Sequence, residues 1–374
     1  MKWLLKIVDA VRPTFEEGGK LHVFNPVFGA LEHFLFAPGD RTLGAPHVRD
    51  AMDLKRFMSM AIISVVPCAF AALYFFGWRF LAMVVVSYAA GLTVETIFAI
   101  VRKEGINEGF FVTGILFPLI LPPATPLWMV GFGVAFGVFI GKELFGGTGR
   151  NVFNPALVGR CFLALAYPGP MSRSYIEPSR DLLGCLLFKW LPSGSVVESG
   201  VDAVSVATPL SAAKGGEMCS TSHMLLGSIS GSAGETSAIL IIMGGVFLLL
   251  TRVANWRTVV SLLGSFIILT AALITGGSVK VGMDGVFVPV VWHLFAGGLL
   301  FGAFFMATDP VTSPTTNIGK WIYGAIIGST TVLIRHFTGY VEGVTFAILL
   351  GNIVAPILDE AIIGVRIRRL RSEG

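Results

Sequence analysis

Ten apolar stretches constrain this chain more than any other feature of its sequence. The chain has 374 residues, of which 54% are hydrophobic and 13% are charged, whereas a typical soluble domain carries about 25% charged residues. Its mean hydropathy is +0.78. We therefore predict an all-α polytopic membrane protein with ten transmembrane helices, some of them broken or re-entrant. The predicted spans are 57–77, 80–101, 110–121, 127–141, 155–167, 238–251, 258–275, 286–307, 321–337 and 344–358.

The polar segments between these spans divide the chain into five parts. A basic arm interrupted by prolines precedes the first span, and a long polar loop separates the fifth span from the sixth. The predicted domains are a cytoplasmic arm (1–56), a first membrane repeat (57–167), a periplasmic loop (168–237), a second membrane repeat (238–358) and a basic cytoplasmic tail (359–374).

The distribution of basic residues predicts the orientation of the chain. Cytoplasmic segments of membrane proteins are enriched in Lys and Arg. If the arm lies in the cytoplasm, ten spans return the basic tail to the same side, and most of the 27 Lys and Arg residues fall there. The same count puts the middle of the long loop, after five crossings, on the outer face.

The two halves of the chain share a pattern of Asn and Pro residues. The segment Asn151–Leu157 (NVFNPAL) is matched by Asn352–Leu358 (NIVAPIL), and each lies in the last span of its half. Proline-interrupted segments, 117–126 and 305–314, precede them. Because five spans is an odd number, the second half enters from the opposite face, which predicts an inverted repeat whose broken helices meet near a working site. The alternative is chance similarity between two short motifs.

The polar stretch Val201–Leu210 (VDAVSVATPL) is the first candidate site. It resembles the Asp-x-x-Ser/Thr-Gly-Ala-Thr pattern on which flavin transferases place FMN through a phosphoester bond. Asp202, Ser205, Ala207 and Thr208 fit the pattern, with Thr208 as the attachment residue, and Val206 replaces the usual Gly. The alternative interpretation is a turn rich in Ser and Thr.

The glycine loop, which we define as residues 141–151 (GKELFGGTGRN), is the second candidate site. Its glycines let the backbone approach a ligand and expose N–H groups. The loop lacks the Gly-Lys-Ser/Thr ending of a phosphate-binding P-loop. A tight turn between packed helices explains it equally well. As residues near a quinone we name Gly141, Glu143, Gly146 and Gly147.

Two acidic residues are candidates for an ion path. Glu95 lies within the second span, where a charge is costly unless it is used or paired. It could instead pair with Arg102 or Lys103 near the headgroups. Asp309 lies where a span breaks, and capping of a helix is the simpler explanation for it. The four cysteines have no metal-ligand spacing, so we predict no metal site in this chain.

Several motifs together resemble a known family. The arm (FEEGGK at 15–20, HVRD at 47–50), the glycine loop, NPAL at 154–157, the Thr208 motif and MATDP at 306–310 resemble the B-type subunit of the Na⁺-translocating NADH:quinone reductase. The D-type subunit of the Rnf complex, a ferredoxin:NAD⁺ oxidoreductase, represents a sister family and is the first alternative. The long arm favours the quinone reductase. A urea-transporter-like solute channel without a redox role is an alternative of a different class.

The resemblance implies a fold and a set of cofactors and partners. The fold is a ten-helix core of two inverted five-helix repeats, similar to that of urea transporters. The cofactors are FMN on Thr208 and non-covalent riboflavin, with ubiquinone or menaquinone as substrate and Na⁺ as the transported ion. The partners are the other members of a six-subunit complex of the bacterial inner membrane, including the NADH, FAD and iron–sulfur subunit and a second subunit with covalent FMN. A flavin transferase for maturation and membrane lipid are further expected partners, and nucleic acid is not.

Overall fold

A computed structural model describes residues 10–13, 15, 28, 54–103, 109–178, 207–214, 219–277, 287–338, 340 and 343–373. Every regular element within these ranges is helical. Most of the predicted arm lies outside them, as do Asp202, Ser205 and Cys185.

Five helices form the first half of the described chain. They are α1 (Leu54–Phe76), α2 (Trp78–Arg102), α3 (Gly109–Leu119), α4 (Leu127–Gly141) and α5 (Pro155–Ala166). Gly77 has a φ of 72° and allows the sharp turn between α1 and α2. The Asn154 side chain accepts a hydrogen bond from the Ala156 N–H at 3.0 Å, and Pro155 is the first helical residue. This combination is typical of a helix start and fixes the beginning of α5.

Short helices connect the halves. The second half has five segments, of which the third is divided into α11, α12 and a π-helical turn. The connecting helices are α6 (Pro168–Arg173), α7 (Pro209–Lys214) and α8 (Thr221–Leu226). The second half contains α9 (Ala238–Leu250), α10 (Trp256–Thr275), α11 (Phe287–Phe295), α12 (Leu299–Phe301), α13 (Asn317–Phe337) and α14 (Val344–Glu373). After α12 the chain continues as a π-helical turn, Gly302–Met306.

The segment from α11 to the π-helical turn is a broken helix. Its two parts, Pro289–Phe295 and Leu299–Met306, are bent by 63° at the break. Gly297 lies in the break with a φ of 65°, a conformation that glycine adopts without strain. The break falls within the predicted span 286–307, before the predicted proline-interrupted segment 305–314.

The helices coincide with all ten predicted spans, but they differ in length. Among the described residues, five helices are long and apolar enough to cross a membrane, or six if the bent pair forms one span. The helices α3, α5 and α9 have 11, 12 and 13 residues, which corresponds to about 17–20 Å. Because a bilayer core is about 30 Å thick, these three are too short to cross it alone. The helix α14 continues to Glu373, well past the predicted end of the span at 358.

The two halves pack in the same way. In each half the second helix packs on the fourth (α2 on α4, α10 on α13), and the fourth packs on the fifth (α4 on α5, α13 on α14). The halves meet through their first helices, α1 and α9, and through their fifth helices, α5 and α14. Glycines of the fourth helices permit these contacts: a Cβ on Gly137 would lie 2.3 Å from the Pro155 carbonyl oxygen, and one on Gly328 would lie 2.3 Å from that of Leu262. One hydrophobic core of buried residues therefore extends across both halves.

Candidate functional sites

Thr208 lies at the start of α7 and is half-buried. Its hydroxyl oxygen accepts a hydrogen bond from the Ser211 N–H at 3.3 Å and donates to the Ser211 hydroxyl at 3.1 Å. The carbonyl of Ala207 accepts from the Ser230 hydroxyl at 2.7 Å. The hydroxyl predicted to carry FMN is thus the cap of a short helix, held in place by Ser211.

A very small cavity adjoins Thr208. Its volume is about 10 Å³, which is close to the minimum for one water molecule. The lining residues are Thr208, Pro209, Leu210, Ile229, Ser230, Gly231, Glu235 and Gly297. A flavin ring attached to Thr208 therefore has no room within this cavity.

A buried ion pair lies behind the cavity. Arg160 of α5 and Glu235 of the segment before α9 are 3.6 Å apart, and both side chains are buried. Arg160 also donates to the hydroxyls of Thr345 at 3.1 Å and Ser232 at 3.3 Å. Burial raises the pKa of the Glu235 carboxyl above its ordinary value, and the Arg160 guanidinium opposes that rise. These contacts join the fifth helix of each half to the segment that links the halves.

A second buried arginine binds backbone carbonyl groups at the end of α11, the first part of the broken helix. Arg335 donates to the carbonyl oxygens of His293 at 2.8 Å and Ala296 at 2.9 Å. These carbonyls belong to the last turn of α11, where no intrahelical donor follows. A cation at this end also interacts favourably with the helix dipole. His293 itself is buried here with only 7% exposure.

Two ion pairs tie the glycine loop to α2. The Lys142 ammonium lies 2.5 Å from Glu95 Oε1, with both side chains 5% exposed. The Arg102 guanidinium lies 2.8 Å from Glu143 Oε2 and also donates to the Glu143 carbonyl. Glu95 thus pairs with neither Arg102 nor Lys103, the partners considered from the sequence. Its second oxygen, Oε2, has no hydrogen-bond partner among the described residues.

The backbone of the glycine loop requires its glycines. Gly146, Gly147 and Gly149 have φ values of 109°, 91° and 90°, which other residues adopt only with strain. Gly141 lies against α5, where a Cβ would be 3.1 Å from Pro155 Cα. The tight-turn interpretation accounts for all four positions.

A larger cavity lies beside the glycine loop, between the two halves. Its volume is about 90 Å³. The charged lining residues are Lys142 and Asp309, and the polar ones include Thr148, Asn151 and Asn154. Apolar side chains such as Phe57 and Phe305 form much of the remainder. Asp309 was predicted as a site residue, whereas Gly141, Glu143, Gly146 and Gly147 support the loop without lining the cavity.

Asp309 connects the halves at this cavity. Its Oδ1 accepts from the Val311 N–H at 3.1 Å within a turn, whereas the next helix, α13, begins at Asn317 and is capped by Thr316. Its Oδ2 faces the Asn154 side-chain amide at 3.5 Å, across 155 residues of sequence. Asp309 therefore holds a turn and does not cap a helix, and its second carboxylate oxygen faces the other half.

The fold and these sites define a class of protein: a multi-pass helical membrane protein with a polar cavity between two similarly packed halves. Residues 41–367 match the family described as NQR2, RnfD, RnfE, and the chain belongs to that family. The predicted family resemblance is confirmed.

Relatives extend this match over nearly the whole chain. A protein of Ectopseudomonas mendocina (strain ymp) is 38% identical, covering 97% of this chain and 97% of its own length. A protein of Klebsiella pneumoniae (strain 342) is 37% identical, covering 99% and 100%, and one of Azotobacter vinelandii is 38% identical, covering 97% and 97%. Each of the three is named as the B-type subunit of a Na(+)-translocating NADH-quinone reductase.

Proposed function

We propose that this chain is the B-type membrane subunit of a respiratory Na⁺-translocating NADH:quinone reductase in the bacterial inner membrane. The identity of 37–38% with so-named relatives, over nearly the full length of both chains, carries this proposal. The complex converts NADH, a proton and a quinone into NAD⁺ and a quinol, and exports Na⁺. Because this sequence has no dinucleotide fingerprint, a partner subunit binds NADH and delivers the electrons.

We propose that Thr208 carries FMN as a phosphoester. In this group transfer the Thr208 oxygen bonds to the flavin phosphorus of a flavin dinucleotide, and the pyrophosphate bond of that donor breaks. The nucleoside monophosphate leaves, and the hydroxyl proton passes to a base of the transferase. The contacts of Thr208 suit this change, because an esterified oxygen can still accept from the Ser211 N–H. Bound FMN supplies reversible electron transfer. Asp202, Ser205 and Ala207 complete the motif that the transferase would read.

The cavity beside the glycine loop suits the non-covalent flavin, riboflavin. A carboxylate oxygen can only accept hydrogen bonds, and Asp309 Oδ2, which accepts from the Asn154 amide at 3.5 Å, keeps a further lone pair for a donor from a ligand. A flavin ring carries such an N–H and a quinone ring does not. The Asn151 and Asn154 amides can both donate and accept, and Lys142 can donate. With a volume of about 90 Å³, the cavity would enclose the polar edge of the ring rather than the whole molecule.

The quinone would bind on the neighbouring side of the glycine loop, where Gly141, Glu143, Gly146 and Gly147 were predicted. Sodium requires oxygen ligands, and Glu95 and Asp309 are our candidates for its path. Lys142 pairs with Glu95 Oε1, so a cation bound at the unpaired Oε2 would compete with the lysine for the carboxylate. Because Lys142 also lines the cavity, a movement of this lysine would link ion entry at Glu95 to the occupancy of the cavity.

We also propose the inverted-repeat topology, similar to that of urea transporters, with both termini in the cytoplasm and Thr208 in the periplasm. The matching packing of the two halves supports the repeat, and the distribution of basic residues supports the orientation. The function of the D-type subunit of the Rnf complex is the alternative that the shared family match favours.

Mass spectrometry of the peptide 202–214, from cells that contain an active flavin transferase, tests the proposed attachment. We expect an increment of one FMN on Thr208, absent in Thr208→Ala and retained in Ser205→Ala. An unmodified wild-type peptide would contradict the assignment.

A further inference from the structure

We infer that a groove between α13 and α14 binds an anionic glycerophospholipid. The groove is formed by the start of α13 and the C-terminal half of α14, and its volume is about 990 Å³. This site is separate from both candidate redox sites, and it goes beyond the function proposed above. Its lining residues are Thr315, Thr316, Asn317, Ile318, Ile322, Leu358, Ala361, Ile362, Ile363, Val365, Arg366 and Arg369.

One face of α14 supplies most of the groove and changes character along its length. The residues Leu358, Ala361, Ile362, Val365, Arg366 and Arg369 line it, at the spacing of one helix face. The first four are apolar and the last two are basic. Ile318 and Ile322 of α13 form the facing wall, with exposed fractions of 60% and 39%. The groove therefore offers an apolar channel that ends in two guanidinium groups.

The two arginines have no ion-pair partner among the residues whose side chains the structure describes, a set that excludes Glu373. Both side chains are exposed. Asp359, a carboxylate of α14 next to the groove, accepts hydrogen bonds from the N–H and hydroxyl groups of Thr315 and Thr316. It precedes Arg366 by seven residues, which is about 10 Å along the helix. The basic end of the groove is thus available to an external anion.

The length of α14 brings this basic end to headgroup depth. The helix has 30 residues and rises about 45 Å, whereas a bilayer core is about 30 Å thick. If the core begins near Val344, Arg366 and Arg369 lie within about 10 Å beyond its other boundary. A phospholipid would then place its phosphate at the arginines and its acyl chains along the apolar wall. Basic pockets between helices at the cytoplasmic surface are suited to anionic lipid headgroups.

The helix supplies a matched control for the test. Arg368 and Arg371 have the same spacing as Arg366 and Arg369, are also exposed, and do not line the groove. Exposed Ile367 is likewise the apolar counterpart of Val365, at 45% and 62% exposure. Since all these side chains are exposed, we expect the substituted chains to fold.

Native mass spectrometry of the delipidated complex, titrated with phosphatidylglycerol, gives the affinity directly. We expect R366A/R369A to bind about 30-fold more weakly, since each arginine near the membrane surface contributes about 1 kcal/mol. R368A/R371A should change the affinity by no more than about twofold. Val365→Asn should weaken binding and Ile367→Asn should not.

Four results would overturn the inference. The first is an equal loss of phosphatidylglycerol affinity in R366A/R369A and R368A/R371A, and the second is binding of phosphatidylcholine as tight as that of phosphatidylglycerol. The third is full displacement of the lipid by millimolar inorganic phosphate. The fourth is crosslinking of Arg369→Cys to another subunit in a complex that retains no lipid. The flavin on Thr208 is measured in the same samples, so failure of lipid binding is separated from failure of the proposed redox function.

Discussion

The Thr208 region and the glycine-loop region satisfy their buried charges in different ways. Around Thr208 the guanidinium groups bind carbonyls and hydroxyls as well as a carboxylate, and the adjoining cavity has a volume of about 10 Å³. Beside the glycine loop each cation pairs with one carboxylate, and the cavity has a volume of about 90 Å³. The first region can hold a cofactor by a bond and the second by enclosure. This difference explains why one chain would use a covalent and a non-covalent flavin.

Breaking the buried pair at the glycine loop should produce the largest effect. Lys142→Met leaves Glu95 buried without its partner, and such losses cost about 3–5 kcal/mol. We expect a marked fall in the thermal stability of the complex, measured by size-exclusion chromatography after heating. The double variant E95Q/K142M should recover much of the loss. A double variant as unstable as the single one would show that Lys142 acts through other contacts.

Changing the cavity carboxylate should remove one flavin and leave the other. Asp309→Asn keeps the oxygen that accepts from Val311 N–H but replaces the second oxygen with a donor. The flavin N–H then faces a donor, a mismatch of about 1–3 kcal/mol, or about 5- to 150-fold in riboflavin affinity. The measurement is released flavin per chain after denaturation, with FMN on Thr208 as the control. Unchanged riboflavin content would exclude Asp309 from the site.

Two glycines with matching backbone angles can separate strain from contact in the loop. Gly147 and Gly149 have φ values of 91° and 90°, so alanine at either costs about 1–2 kcal/mol of strain. A Cβ on Gly147 would also lie 3.3 Å from the Arg102 guanidinium, whereas one on Gly149 meets nothing within 4 Å. Gly147→Ala should therefore raise the apparent quinone KM more than Gly149→Ala does. Equal KM values in both variants would show that the loop acts only as a tight turn between packed helices. Gly146→Ala adds a third variant to the comparison.

The smallest expected effect concerns sodium. Glu95→Gln keeps the shape of the side chain but leaves Lys142 buried without its anionic partner, so the complex should also lose stability. In the fraction that remains folded, the variant should weaken the stimulation of quinone reduction by Na⁺, while flavin content stays normal. We expect the half-maximal Na⁺ concentration to rise by about fivefold, which corresponds to about 1 kcal/mol. If the sodium dependence matched that of the wild type, Glu95 would serve only to pair Lys142.

The sequence located the helices well because an apolar stretch is a local signal. The sequence could not distinguish the short helices α3, α5 and α9 from helices that cross the membrane, since both kinds of helix have the same apolar composition. The sequence also could not predict contacts between distant segments. Glu95 pairs with Lys142, 47 residues away, and Asp309 contacts Asn154, 155 residues away. Arg160 was identifiable as a charge within a span, and that signal alone implied a buried partner such as Glu235.

The distribution of flavin between the two regions tests the account most directly. The purified chain is denatured, and bound and released flavin are quantified in the wild type, Thr208→Ala and Asp309→Asn. We predict one bound FMN and one released riboflavin per wild-type chain, with Thr208→Ala losing the bound flavin and Asp309→Asn losing the released one. A wild-type chain without bound flavin, or two variants that each lose both flavins, would contradict the account.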